Sequence, residues 1–286
     1  VSQFLSLREA IGEYVHDGDT VALEGFTHLI PFAAGHEIIR QGRRDLTLVR
    51  MTPDIIYDQL IGMGCARKLI FSWAGNPGAG SLHRFRDAVE NGVPHALEIE
   101  EHSHAGMATR FAASAGGLPF GILRGYAGTD LATVTKNIAW VTCPFTGEEL
   151  AAVPALDLDV GIICAQQADR DGNVMFWGIT GVQKETVLAA RASIVLVEEV
   201  VEEFQPHVNG VVLPHWVIDA VVVTPNGPFP SYAQDYSERA NDFYASWEPI
   251  SRDRATFLTW MQQHVVATSD HAAFLSSLKD GLHVDK

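Results

Sequence analysis

The chain has little positive charge for its size. Against 35 Asp and Glu there are only 20 Lys and Arg, a formal net charge of −15. Nucleic-acid binding requires a positive field, so nucleic acid is excluded as a bulk partner. Cysteine is sparse as well. Cys65, Cys143 and Cys164 are widely spaced, with no Cys-x-x-Cys pair. That pattern excludes a disulfide scaffold and reads as free, mostly buried thiols in a reducing cytoplasm. No apolar run approaches the roughly 18 residues of a membrane span. Charges interrupt the stretch from Val1 to Glu13, where a signal peptide would carry its apolar core. No histidine pair has a spacing such as His-Glu-x-x-His, so no resident metal is expected. His102 and His104 form a pair, but no third ligand is placed by sequence. Linkers rich in Gly or Ser and short internal repeats are missing too, which favours one domain over 1–286.

What is present is the composition of a globular chain, 47% hydrophobic and 19% charged. Ser6-Leu7-Arg8-Glu9 fits a capping box opening a helix to about Val15. Short apolar strands at Thr20–Leu23, Leu46–Arg50, Lys68–Ser72 and Ala96–Ile99 then alternate with helices. Those helices are read from Pro31, from Asp54 and over His83 to Glu90. Further strands are read at Val160–Ala165, Val174–Gly178, Ser193–Glu198 and Ala220–Thr224, with a helix at Glu185–Arg191. The chain turns helical from about Ala240. This alternation predicts an α/β fold: an open, mostly parallel sheet covered by helices on both faces.

Ligands of such sheets bind outside the carboxyl ends of the strands. Two glycine loops lie there. Glu24-Gly25-Phe26-Thr27-His28 follows the first long strand, and Gly75-Asn76-Pro77-Gly78-Ala79-Gly80-Ser81 follows the third. Glycine lets backbone N–H groups approach an anion without a Cβ in the way. The second loop ends near a helix N-terminus, with the Ser81 hydroxyl at hand for a carboxylate. Glu98-Ile99-Glu100-Glu101-His102-Ser103-His104 gathers carboxylates and histidines between a strand and a helix capped near Ser103. An extended chain points alternate residues apart, so His102 and His104 face different ways. Glu98 and Glu100 read as solvated, while Glu101 is placed to orient or charge a neighbouring histidine. Gln166-Gln167-Ala168-Asp169 and Gly172-Asn173-Val174 mark an architectural turn.

Taken in order, with Ala115-Gly116-Gly117-Leu118-Pro119-Phe120 between them, these motifs resemble the α (A) subunit of family I coenzyme A transferases. The resemblance is to the glutaconate and 3-oxoadipate CoA-transferase types, and runs to about Val223. It implies the CoA-transferase/sugar-phosphate-isomerase fold. It also implies an acyl-CoA and a carboxylic acid as substrates, with no permanently bound cofactor. It implies a β subunit, because in that family the β subunit carries the nucleophilic glutamate. Glu90-Asn91-Gly92 imitates that glutamate's surroundings, but it ends a helix.

Attack on a thioester forms a tetrahedral oxyanion, and one preorganised donor there is worth roughly 3–4 kcal/mol. In the family a glutamine of the α subunit supplies it. By the resemblance His104 stands at that position, and a histidine donates the same bond and also moves a proton. Related hydrolases of a cyclic ketone CoA ester carry glutamate there. Hydrolysis of a CoA thioester or ring opening, with His104 as acid and base, therefore stands beside CoA transfer. A non-catalytic acyl-CoA or sugar-phosphate sensor and a lone sugar-phosphate isomerase are the more distant alternatives. The candidate catalytic residues are His104 and Glu101. The candidate substrate-binding residues are Glu24, Gly25, Phe26, Thr27, His28, Gly78, Gly80 and Ser81.

Overall fold

The computed structural model describes residues 2–77 and 79–279. The first half runs β1 (Gln3–Phe4), α1 (Leu7–Tyr14), β2 (Thr20–Glu24), α2 (Phe32–Arg40), β3 (Leu46–Val49), α3 (Ile55–Gly62), β4 (Ala66–Phe71), α4 (His83–Glu90), β5 (Glu98–Glu101) and α5 (His104–Ala115). Then come β6 (Phe120–Leu123), α6 (Leu131–Val134), β7 (Ala139–Thr142) and β8 (Glu149–Pro154). The second half runs β9 (Leu158–Asp169), β10 (Val174–Phe176), α7 (Gln183–Ala189), β11 (Ala190–Val201), β12 (Val211–Leu213) and β13 (Ala220–Val223). Helices α8 (Asn241–Arg252), α9 (Arg254–Met261) and α10 (His271–Lys279) end the described chain.

The main sheet has the order β1-β13-β11-β9-β2-β3-β4-β5, with β10 and β12 attached beside β9. Every pair along that path is parallel. From β2 the chain builds outward through β3, β4 and β5, whereas β9, β11 and β13 extend the other way. The order therefore reverses between β2 and β9, the switch point at which open α/β sheets take ligands.

Strand periodicity explains why both faces are covered. Val21 and Leu23, Leu46 and Leu48, and Leu69 and Phe71 join one core cluster with residues of α2 and α3. The intervening Ala22, Val49 and Ile70 join a second cluster with Met107 and Phe111 of α5. Side chains that alternate across a strand feed two cores, so these strands read as continuous apolar runs.

Local signals hold the ends. Ser6 accepts from the Glu9 amide while Glu9 accepts from the Ser6 amide, the complete capping box. Asp169 accepts from the Asp171 and Asn173 amides at 3.0 and 2.9 Å, and Gly172 turns the corner with φ 86°. Two features go beyond the sequence reading. Residues 120–154 form a separate antiparallel sheet, β6-β8-β7, whose short exposed strands carry little sequence signal. The C-terminal helices pack on this chain itself: Trp247 is buried and donates to Asp58 of α3 at 2.9 Å.

Candidate active site

The loop after β2 is shaped by its glycine. A Cβ at Gly25 would overlap the Leu29 carbonyl, so the chain folds back on itself only with glycine there. Thr27 and Leu29 take left-handed backbone angles, φ 59° and 53°. Outside bonds hold this strained loop. The Leu29 amide donates to the Tyr232 carbonyl at 2.9 Å, and the Ser231 hydroxyl donates to the Thr27 carbonyl at 3.0 Å.

Phe26 and Thr27 thereby line a cleft of about 420 Å³ at the C-terminal ends of β2, β3 and β4. Trp73, Tyr232 and Tyr244 supply further aromatic wall. Arg50, Asp54 and Arg239 supply its charge. Arg50 is 1% exposed and donates to Asp54 at 2.9 Å and to the Gly25 carbonyl at 2.8 Å. Burial works against the Arg50 charge, but Asp54 and Glu24 more than restore it and raise its pKa. Arg239 lies over the Tyr244 ring, 4.0 Å from its centroid. None of Arg50, Asp54, Trp73, Tyr232, Arg239 and Tyr244 is among the residues that the sequence reading marks as functional. Arg50 and Asp54 directly follow β3, where the strand-end rule alone would have found them. Arg239 and Tyr244 come from the far end of the chain, and no local pattern flags them.

Two sequence candidates beside the cleft have other work. Glu24 does not line it. Its carboxylate accepts from the Met51 amide at 2.8 Å, and burial raises its pKa to about 7 despite Arg50 nearby. His28 is buried as well, and its Nε2 accepts from the Gln234 amide at 2.9 Å. Burial lowers the His28 pKa to about 4, so it is neutral and holds the loop to residues 231–234.

The second glycine loop splits. Pro77 lines the cleft, while Gly78 lies outside the described residues. Gly80, at φ 120°, faces Glu248 of α8, and a Cβ there would strike the Glu248 carboxylate. Ser81 does not cap α4, whose N-cap is Leu82 with no side-chain bond. The first-turn amide of Phe85 is already taken by Asp58 at 2.8 Å. Gly80 thus packs against α8, and Ser81 stands just before α4 without capping it.

At the end of β5, Ser103 caps α5 through the Gly106 amide at 3.0 Å, and His104 is the first helical residue, exposed. Glu101 is exposed and lines a separate groove of about 500 Å³ at the sheet edge. The histidine with a carboxylate partner is instead His102. It is fully buried, with Nε2 3.1 Å from Glu100 and Nδ1 3.1 Å from the Tyr126 hydroxyl. Glu100 is likewise buried, and it pairs with Arg110 at 2.5 Å and Lys68 at 2.8 Å. The solvated reading of Glu100 and the orienting role of Glu101 are therefore corrected: Glu100 performs that role, toward His102. The period of two correctly sends the two histidines apart, His102 inward and His104 outward. Among the described residues no cluster of three metal-ligating side chains occurs, and no helix is long and apolar enough to cross a membrane.

A parallel sheet with a charged, aromatic-walled cleft at the carboxyl ends of β2, β3 and β4, next to its strand-order reversal, defines an α/β protein with a cleft of the kind that takes small organic ligands. Known proteins make the class specific. The coenzyme A transferase profile matches residues 4–224. The A subunit of 3-oxoadipate CoA-transferase from Pseudomonas knackmussii is 59% identical over 98% of this chain and 100% of its own. The crystal structure of glutaconate CoA-transferase from Acidaminococcus fermentans superposes with a TM-score of 0.90 and 32% identity, covering 97% of this chain and 93% of that one. A cholesterol ring-cleaving hydrolase subunit, IpdA of Rhodococcus jostii, is 26% identical over 93% of each chain. The chain belongs to the coenzyme A transferase family. Proteins of that family act on CoA thioesters.

Proposed function

We propose that this chain is the α subunit of a heteromeric enzyme moving CoA between an acyl-CoA and a dicarboxylic or 3-oxo acid, 3-oxoadipate first among them. The observation that carries this is the 59% identity, over essentially the whole of both chains, with the corresponding subunit of a 3-oxoadipate CoA-transferase. In this reading the β subunit supplies the glutamate that attacks the thioester carbonyl. This chain supplies the acid-binding cleft and a donor for the oxyanion. His104 fits the donor role by its place: it opens α5 at a strand end, exposed on this chain and free to meet a partner. The positive end of the helix dipole favours negative charge at that position. Residues 1–286 act as one unit, since Arg239 and Tyr244 complete the cleft. A cytoplasmic location agrees with the buried free thiols of Cys65 and Cys164.

A second reading, hydrolysis or ring opening of a CoA thioester, is favoured by histidine at position 104 and by the likeness to a ring-cleaving hydrolase subunit. One experiment separates the two. The chain is co-expressed with a β-subunit homologue and given acyl-CoA panels, with and without succinate, acetate or 3-oxoadipate. Mass spectrometry then follows the thioesters. Acceptor-dependent formation of a new thioester is expected. Acid-independent release of CoA, or water addition with CoA retained, would establish the hydrolytic reading. In the complex His104→Ala is expected to lower kcat by about 10²–10³, the usual cost of one oxyanion donor. His104→Gln should restore most of the rate if the side chain only donates a hydrogen bond.

A further inference from the structure

The cleft charges are not equivalent. Arg50 is spoken for by Asp54 and the Gly25 carbonyl and is almost wholly buried. Arg239 is partly exposed, and among the described residues its hydrogen-bond partners are both neutral. One is the Asn241 side-chain oxygen at 2.9 Å and the other the Pro77 carbonyl at 3.2 Å. A guanidinium has five N–H donors, so donors remain beyond these bonds. The Tyr244 ring beneath it, 4.0 Å from the guanidinium carbon to the centroid, fixes the plane in which they point. With Arg50 paired to Asp54, Arg239 is the cleft's positive charge without an ionic partner among the described residues, in a chain of net charge −15. The walls beside it are Phe26 and Trp73, which suit a short methylene chain.

We infer that Arg239 is a specificity-determining residue, holding the terminal, non-reacting carboxylate of a dicarboxylic acid or its monothioester. This rests on the acid-transferring reading above. A partner's nucleophile must reach the reacting carboxyl, so the end sunk among Phe26, Trp73 and Tyr244 is the other one. A planar guanidinium grips a carboxylate through two parallel N–H bonds, which a methyl terminus cannot replace. Charge-assisted bonds of this kind correspond to a preference of roughly 10- to 100-fold for a dicarboxylate over a monocarboxylate of equal length.

The test uses the purified complex with its β subunit, without acyl-CoA, so that no transfer runs. Adipate and hexanoate are titrated by calorimetry. Adipate is expected to bind at least tenfold more tightly, Arg239→Gln to erase the preference, and Arg239→Lys to keep part of it. Equal binding of the two acids by the unaltered complex overturns the inference without recourse to any variant. So does a preference that persists in Arg239→Gln, or displacement of adipate by ADP, which would give the cleft to the phosphates of CoA. CoA transfer is scored separately. An Arg239-dependent preference without transfer would sink the transferase reading alone, and transfer without the preference would sink this inference alone.

Discussion

Two buried glutamates at the carboxyl ends of parallel strands end with opposite net pKa shifts. Glu24 closes β2 and is 1% exposed, and Glu100 lies near the end of β5 and is 8% exposed. Burial raises the pKa of Glu24 to about 7, because the one nearby cation, Arg50, is shared with Asp54. Burial pushes Glu100 upward too, but His102, Lys68 and Arg110 together hold it well below the usual carboxylate range. Glu24 is the deeper of the two and has one shared cation, whereas Glu100 is shallower and commands more, so the balance of burial against cations sets the sign. The β5 end is thus a closed ionic knot that fixes backbone. The β2 end is a poised group behind an open cleft.

The severest way to break this contrast is to remove the knot. Glu100→Ala leaves Arg110, which is 4% exposed, without its only carboxylate partner among the described residues; its other contacts are the Pro154 carbonyl at 2.9 Å and His102 Nε2 at 3.0 Å, neither of them a carboxylate. Leaving one partner of a buried pair uncompensated costs about 3–5 kcal/mol. Urea unfolding should show that loss at neutral pH. Glu100 is depressed in the folded state, so its contribution is complete above its ordinary pKa of 4.5 and fades as pH falls below it. The acid limb of the stability curve should therefore shrink in the variant. An unchanged acid limb would mean that the carboxylate is not held by these cations.

Glu24→Gln probes the opposite sign. A folded pKa raised from 4.5 to about 7 means that the neutral form is the stabilised one. Its contribution is complete below 4.5 and is lost as pH climbs through about 7, a swing of about 3 kcal/mol at most. Glutamine still accepts from the Met51 amide and carries no charge to bury. Relative to the unaltered protein, the variant should gain stability progressively between pH 4.5 and 7 and hold that gain above it. Asp58, raised by burial to about 6, acts with the same sign in both proteins and cancels in the difference. A flat difference curve from about pH 4 to 8 would refute the assignment.

The same contrast shows what a sequence discloses. The strand–helix alternation, the Ser6 box and the helix from His83 to Glu90 are legible, because caps and periodicity are local. Coenzyme A transferase kinship is legible in the succession of glycine loops. Glu24 and His28 do matter at the β2 end, but their side chains turn inward to hold backbone. Which way one side chain leaves a loop depends on a left-handed Thr27 and on residues 231–234, about 200 positions away in the chain. Glu100 reads as solvated for the same reason: its cations lie on β4 and α5. The small β6-β8-β7 sheet leaves little signal because its outer positions, Phe120, Ile122 and Trp140, expose apolar groups and blur the alternation.

The finest test asks whether the β5 knot reaches His104, the proposed oxyanion donor. Tyr126 joins them. Its hydroxyl meets His102 Nδ1 at 3.1 Å and accepts from the Ser103 amide at 3.1 Å, one residue before His104. It also fills the space that a Cβ on Gly106 would need. Tyr126→Phe removes only the hydroxyl. It leaves a buried imidazole nitrogen and a cap amide without their partner, a loss of about 1–2 kcal/mol in unfolding. If Tyr126 merely stabilises, kcat and KM in the complex will not move once the protein is folded. If it positions the start of α5, kcat should fall severalfold at constant KM, because only the interaction made with the oxyanion is disturbed. Pairing the change with His104→Gln decides between these. Coupled losses place Tyr126 in the line that aims residue 104, and additive ones confine it to the fold.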